Sequence, residues 1–531
     1  MSASTYDRGQ KISEMDTAGV ITTFSEFDTA EGHMRRTFRA ALESFDDLGT
    51  IPEMTTDSIS DGAGRTIIER TGSPGLPNRV RTTLYDSRGR VKEVAEGGDD
   101  PATRLVTTTS YDGLGTTVTL PGGVTQVSES YLDGQTKSTG GTGTVAETKT
   151  YALAGSLIRE TTRRGSATQY VESITESNGL GMLIREKTAS PTEGWRSFTY
   201  DSAGRRTSEK LGDDTLATYS YPAPETTVTT RLAAPDPART HTQTQTYVKQ
   251  GGAWWRVSTA GGASQWEKVS GLGWADLSAT RAIDADGRES SSVATVEFTS
   301  QAIITYTSAP GVSLPAVSSS KAGLVVRTVA PDLSITDTTY DSFGRPLETT
   351  ASDTGLHTTF TYDPVTGQVG TQRSWSGAAT YADATDRSET VNFYHTETEA
   401  LGQLSSRNVD GVVTSFAYTP RGELPAQWGA TYPVRYEYDD AGRIWKLHTF
   451  RTPDPSGTPL AYWSMGDVTE WVYYPGTELI LIVLSLVEPR SQAPLGNALS
   501  QKLCFGPVFF PFDGILLPYG SILLPDGSIL F

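Results

Sequence analysis

One six-residue pattern limits the possible folds of this chain more than any other feature. Tyr-Asp-x-x-Gly-Arg occurs complete at residues 85–90, 200–205, 340–345 and 438–443. Degenerate copies stand at 111–115, 131–134, 151–155, 362–367 and 418–422, and two that lack the tyrosine at 61–65 and 284–288. Tyr85 and Tyr111 are 26 residues apart, Tyr111 and Tyr131 20, Tyr131 and Tyr151 20, Tyr340 and Tyr362 22, and Tyr418 and Tyr438 20. Self-similarity at such a period means one supersecondary unit written many times, which buries its apolar face by stacking on its neighbours.

The flanks say what the unit is. Aromatic and polar residues alternate in Phe198-Thr-Tyr200, Phe360-Thr-Tyr362 and Phe416-Ala-Tyr418, and again from Val434 to Tyr438. A period of two is a strand with one buried face. The next residues are turn chemistry: an aspartate can accept its own downstream backbone N–H, and a glycine can take the positive φ of a tight turn. Tyr85, Asp86, Gly89 and Arg90 are then the strand end, the turn and the start of the return strand. The same roles fall to Tyr200, Asp201, Gly204 and Arg205, to Tyr340, Asp341, Gly344 and Arg345, and to Tyr438, Asp439, Gly442 and Arg443. In the shorter copies they fall to Tyr111, Asp112 and Gly115, and to Tyr362, Asp363 and Gly367. Successive hairpins of about 20 residues build a continuous antiparallel ribbon.

Four complete copies in register with degenerate ones resemble the YD-repeat family, also called Rhs repeats, of bacterial Rhs proteins, toxin-complex C components and teneurins. The resemblance covers residues 55–220 and 335–480 most clearly. It implies an all-β fold in which tandem hairpins form a spiralling, solenoid-like sheet, here a partial β-shell. It further implies a non-enzymatic wall segment of the kind that encapsulates a C-terminal effector, with that effector or a secretion component as partner, at a secreted or cell-surface location. The conserved core and toxin C-terminus of Rhs proteins are not found here, so no catalytic residue carries over. A surface adhesin using Trp254, Trp255 and Trp375 as exposed carbohydrate platforms is the alternative, and a truncated or frame-disrupted gene product a further one. Repeated Tyr, Asp, Gly and Arg read as packing and turn devices rather than as many active sites.

Along the chain, residues 1–54 read as diverged repeats or a short helix, because Met34, Phe38, Ala41, Leu42 and Phe45 fall at helical spacing over 33–46. Residues 55–221 and 336–480 are repeats, and 222–335 a diverged repeat region. Residues 481–531 form an atypical apolar tail rich in Pro, Gly and Leu, with disorder among its possible states. The tail follows a half-written repeat, Trp471 to Gly476, and three readings stay open for it: a break in the gene near 480, an apolar plug inside the shell, and a lipid-associating element. Proline and glycine every few residues count against the last, since they leave backbone groups unpaired in hydrocarbon.

Composition excludes several classes. With 44 Lys and Arg against 62 Asp and Glu, the net charge is −18 and no basic block is present, which leaves no footprint for nucleic acid. The single cysteine, Cys504, excludes a disulfide framework and a multi-thiolate zinc site. No signal peptide is visible at the start and no apolar run is long enough to span a bilayer. Neither a Gly-x-Ser-x-Gly elbow nor a phosphate-binding Gly-x-x-x-x-Gly-Lys-Ser/Thr loop occurs. His33, His241, His357, His395 and His448 are scattered without metal-pair spacing. Asp284 and Asp286 around Gly287 could offer oxygens to calcium but read more simply as a β-turn. The expectation is therefore no enzyme, no cofactor and no metal.

Overall fold

A strand with one wet face needs side chains that alternate in burial, and Leu105–Asp112 alternates at every residue between half-buried and exposed. The computed structural model describes residues 3–7, 10–15, 20–30, 32–41, 51–73, 75–142, 144–188, 194–232, 240–270, 278–297, 302–395, 402–430, 432–450, 467–473, 480–486, 522–523 and 529–530. Among these, forty-two strands and two single 3-10 turns, Pro101–Thr103 and Pro121–Gly123, are the regular elements. The fold is all-β, a tandem series of antiparallel hairpins. No helix among the described residues is long and apolar enough to cross a membrane.

The chain divides into two compact units, Met1–Gly143 with Phe198–Asn392, and Thr144–Ser197 with Phe393–Phe531. Within each, a strand pairs with its sequence neighbours. In the first unit Arg79–Tyr85 pairs with Thr66–Gly72 and Val91–Gly97; in the second Leu157–Gly165 pairs with Glu147–Ala154 and Tyr170–Ser177. Such meanders bury few apolar side chains, which suits a hydrophobic fraction of 36%. Ile59 and Val80 are among the few buried in the first unit, and Ala426 and Phe450 pack with Ala417 and Trp428 in the second.

The helix expected over 33–46 does not form where the chain is described. Gly32–Ala41 is a strand paired with Val20–Thr29 on one side and Ile51–Ser60 on the other. Met34 is buried between exposed His33 and Arg35. Two neighbouring ladders outweigh a weak helical periodicity here. Near the other end, Ile480–Leu486 pairs with Asp467–Tyr473, so the half-written repeat finds its return strand past residue 480. Residues 522–523 and 529–530 pair with one another. The readings placed on residues 487–521, 524–528 and 531 lie outside the described residues.

In a meander, successive turns alternate between the two ends of the strands. The turns at 61–65, 86–90, 113–114 and 131–135 therefore share one rim of the first unit, here called the front, and those at 73–78, 98–104 and 120–124 the back. Later in the same unit, the front turns 341–345 and 363–368 lie against that back rim. A Cβ placed on Gly97 would meet Phe343 at 3.4 Å, one on Gly98 would meet Ser342 at 3.3 Å, and one on Gly122 would lie 2.7 Å from the Val365 Cα. The second unit has its own seam, where a Cβ on Gly422 would lie 2.8 Å from Val145 and one on Gly442 3.7 Å from Val171. Gly122 also has φ +83°. Gly122→Ala is expected to destabilise by about 1–2 kcal/mol, through left-handed strain and loss of close approach, read as a lower urea midpoint.

Candidate functional site

The motif folds into one small machine, repeated. In the 86–90 turn the Asp86 amide donates to the Arg90 carbonyl (2.8 Å) and the Gly89 amide to the Asp86 carbonyl (3.0 Å), with Gly89 at φ +80°. This is a three-residue hairpin loop with a left-handed closing residue, and the pairing shifts register at Leu84/Tyr85 to accommodate it. Asp86 Oδ1 accepts the amides of Arg88 and Arg90, both at 2.9 Å, while Oδ2 accepts Arg90 Nε at 2.8 Å. The Arg90 amide above all, helped by its guanidinium and the Arg88 amide, holds the Asp86 carboxyl below its usual range. Asp61, Asp201, Asp341 and Asp439 bind Arg65, Arg205, Arg345 and Arg443 in the same way.

The arginine then serves the next hairpin. Arg65 lies over the Tyr85 ring at 4.6 Å, Arg90 over Tyr111 at 3.9 Å, Arg205 over Tyr221 at 4.2 Å, Arg345 over Tyr362 at 4.0 Å and Arg443 over Tyr473 at 4.7 Å. Each of these tyrosines donates its hydroxyl to the carbonyl of the residue just after that arginine: Tyr85 to Thr66, Tyr111 to Val91, Tyr221 to Arg206, Tyr362 to Pro346 and Tyr473 to Ile444. Turn aspartate, arginine, carbonyl and following tyrosine thus form a clamp between consecutive hairpins. Tyr340 and Tyr438 reach back likewise, to the carbonyls of Val325 and Leu424. Burial pushes the hydroxyls of Tyr340, Tyr362 and Tyr438 up, so their contribution to stability is lost only as the pH rises past the ordinary tyrosine range.

Not every predicted position plays the same part. Tyr200 closes the strand Arg196–Tyr200 ahead of its turn. Asp112 and Gly115 face each other across a two-residue turn, so Gly113, at φ +58°, rather than Gly115, is the left-handed residue there. The Asp363 loop is one residue longer: Asp363 Oδ1 accepts the amides of Val365 and Thr366, and Gly367 closes at φ +70°. Asp284 makes the motif turn, accepting the amides of Asp286 and Arg288, but on the back rim. Its Arg288 is exposed and pairs with Asp286 at 3.1 Å. No group of three potential metal ligands is found among the described residues.

Sequence reading missed the turn at 178–182, where Asn178 stands in for aspartate and accepts the amides of Leu180 and Met182, both at 3.0 Å. It also missed Glu176. This carboxylate is 0% exposed and sits in a row across three strands between Arg159 and Arg185. Oε1 accepts Arg159 Nε at 2.8 Å and Oε2 accepts Arg185 Nε at 2.6 Å. Burial alone would raise its pKa, but the hydrogen bonds from Arg185 and Arg159 override that and hold it below the usual carboxylate range. The placement of Trp375 on the surface is corrected: it is 7% exposed, stacked on His357 at 5.2 Å and edge-on to Tyr381 at 6.0 Å. Its register partners His357 and Arg387 and the loop that carries Tyr381 cover it. Trp255 packs edge-on against Trp266, while Trp254 is an exposed ring.

Each unit carries an open groove. One of about 890 Å³ in the second unit is lined by Tyr170, Tyr436 and Trp445 among others. Among its charges, Arg421 pairs with Glu423 at 3.0 Å and Arg435 with Glu437 at 3.1 Å. The other, about 570 Å³ in the first unit, is lined mainly by serine, threonine and glutamine around the Arg256–Glu267 pair.

Fold and clamp together define an all-β tandem-hairpin repeat protein. No protein-family model matches the chain, and no curated protein matches it. Solved TcdB2-TccC3 structures are similar to it. The TcdB2-TccC3 structure without its hypervariable C-terminal region is 11% identical, with a TM-score of 0.42, over 87% of this chain and 27% of that one. A TcdB2-TccC3 structure is 12% identical, with a TM-score of 0.37, over 92% of this chain and 34% of that one. The chain spans about a third or less of the length of these structures.

Proposed function

We propose that the chain is a non-enzymatic structural protein of the YD-repeat kind, a wall segment that shields polypeptide, as Rhs-type shells do for a C-terminal effector. The observation that carries this reading is the clamp: the same four groups recur at five turns and join one hairpin to the next. A repeated residue set engaged in its own backbone and its neighbour's ring supports extension of a wall rather than turnover of a substrate. The Arg421–Glu423 and Arg435–Glu437 pairs in the second unit's groove support the same reading. A saccharide-binding role retains Trp254 as its exposed ring, with Trp375 buried.

The test is shielding. A protease-sensitive peptide fused to the C-terminus of the full chain is expected to resist cleavage in native buffer and to be cut after denaturation in urea. Cleavage of the native chain as fast as the denatured one overturns the proposal.

A further inference from the structure

The geometry points to head-to-tail self-association, in which the front rim of residues 61–135 in one copy seats on the back rim of residues 309–356 in another. Both rims belong to the first unit, and the inference rests on that unit's internal seam, not on whether the wall shields anything.

The seam supplies the template. Front turns occur in two states within the unit. At 341–345 the turn is half-buried because Ser342 and Phe343 lie on Gly98 and Gly97 of the back rim. At 87–89, 113–114 and 132–135 turns of the same rim are exposed. Leu114 stands at the motif position that Phe343 fills in the seam, and Leu132, 94% exposed, lies on the next front turn. The front rim of the earlier stretch therefore offers the same kind of surface that is covered in the later one. The later stretch has the complementary vacancy: its back turns at 309–314 and 331–333 are exposed and carry Val312, Leu314 and Leu333.

Leu333 adds an independent observation. The Ala330 amide donates to the Ser334 carbonyl at 2.9 Å, and the Leu333 amide to the Ala330 carbonyl at 2.9 Å. This is the ladder of the motif turn, with leucine where the motif has glycine. Leu333 accordingly has φ +70°, a left-handed conformation unfavourable to a bulky residue, and its side chain is 65% exposed. Strain that presents an apolar side chain to solvent is not explained by packing within the unit, and strained residues of this kind cluster at functional sites. An interface between two different rims is heterologous, so it propagates as a chain of copies unless the rotation closes a ring.

Sedimentation velocity of the full chain across a wide concentration range is the test. The wild type is expected to associate reversibly. Leu132→Asp, on the front rim, and Leu333→Gly, on the back, are each expected to weaken association by about tenfold or more, as for a central contact residue. Leu333→Gly should at the same time raise the urea midpoint by relieving the strain, which separates loss of contact from loss of fold. An equimolar mixture of the two variants retains one intact rim of each kind and should form dimers but no longer chains. A wild type that stays monomeric overturns the inference, as does association that neither substitution weakens. Because protease shielding is read on a single chain, this experiment can fail while the wall reading stands, and the reverse.

Discussion

Replacing Glu176 by glutamine is expected to lower the unfolding free energy by about 2–4 kcal/mol, less than for a wholly buried ion pair because both arginines keep some water. The carboxylate is fully buried and is the shared acceptor of Arg159 and Arg185. Glutamine keeps the volume but leaves two guanidinium groups facing a neutral amide, one end of which is itself a donor. Urea denaturation at neutral pH reads the loss as a lower midpoint with an unchanged slope. Acid makes the test sharper. The folded carboxyl is depressed below its unfolded value, so its stabilisation is complete above the ordinary carboxylate range and is lost as pH falls through the folded pKa. The gap between wild type and Glu176→Gln should therefore close on acidification. A gap that stays constant down to strongly acid pH would contradict the ionised row.

Arg345 carries the second large effect. It bonds Asp341 through Nε at 2.8 Å and Nη2 at 2.7 Å while its guanidinium lies 4.0 Å from the Tyr362 ring centre and 4.7 Å from that of Phe343. Arg345→Ala is expected to cost about 2–3 kcal/mol, since a half-buried ion pair, with Nε and Nη2 both on Asp341 Oδ2, and a ring stack go together. Arg345→Lys should recover less than half of that, because an ammonium keeps the charge but neither the fork nor the flat face. Arg88, at a variable position of its own turn and exposed, is the control: Arg88→Ala should stay within about 0.5 kcal/mol of wild type. Full rescue by lysine would mean that charge alone holds the turn.

These two sites mark what a sequence can and cannot display. The turn at 86–90 is legible because all its chemistry is local: Asp86 reaches amides two and four residues ahead, and only Gly89 needs a left-handed φ. The strands before it are legible from alternation. What Arg90 does next is not, because Tyr111 belongs to the following hairpin and only the sheet brings the two together. Glu176 has no motif at all; its partners are set by register across Arg159, Glu176 and Arg185. The Asp284 turn carries the motif letters, yet the number of strands before it puts it on the back rim, beyond the reach of any local pattern. For Gly32–Ala41 a helical spacing of apolar residues lost to the pairing offered by strands on both sides. Leu333 hides for the opposite reason, since a glycine turn without its glycine gives no signal.

The clamp has a direction. Its arginine and carbonyl always come earlier in the chain than the tyrosine they receive: Arg65 and Thr66 before Tyr85, Arg443 and Ile444 before Tyr473. A polypeptide emerging from the ribosome N-terminus first therefore completes each receptor before the side chain that fills it is translated. Growth at the newest edge meets a finished socket at each clamped turn, and a tyrosine one residue out of phase would point to the other face and find none. The order in which the letters are synthesised is then also the order in which the array can be proofread.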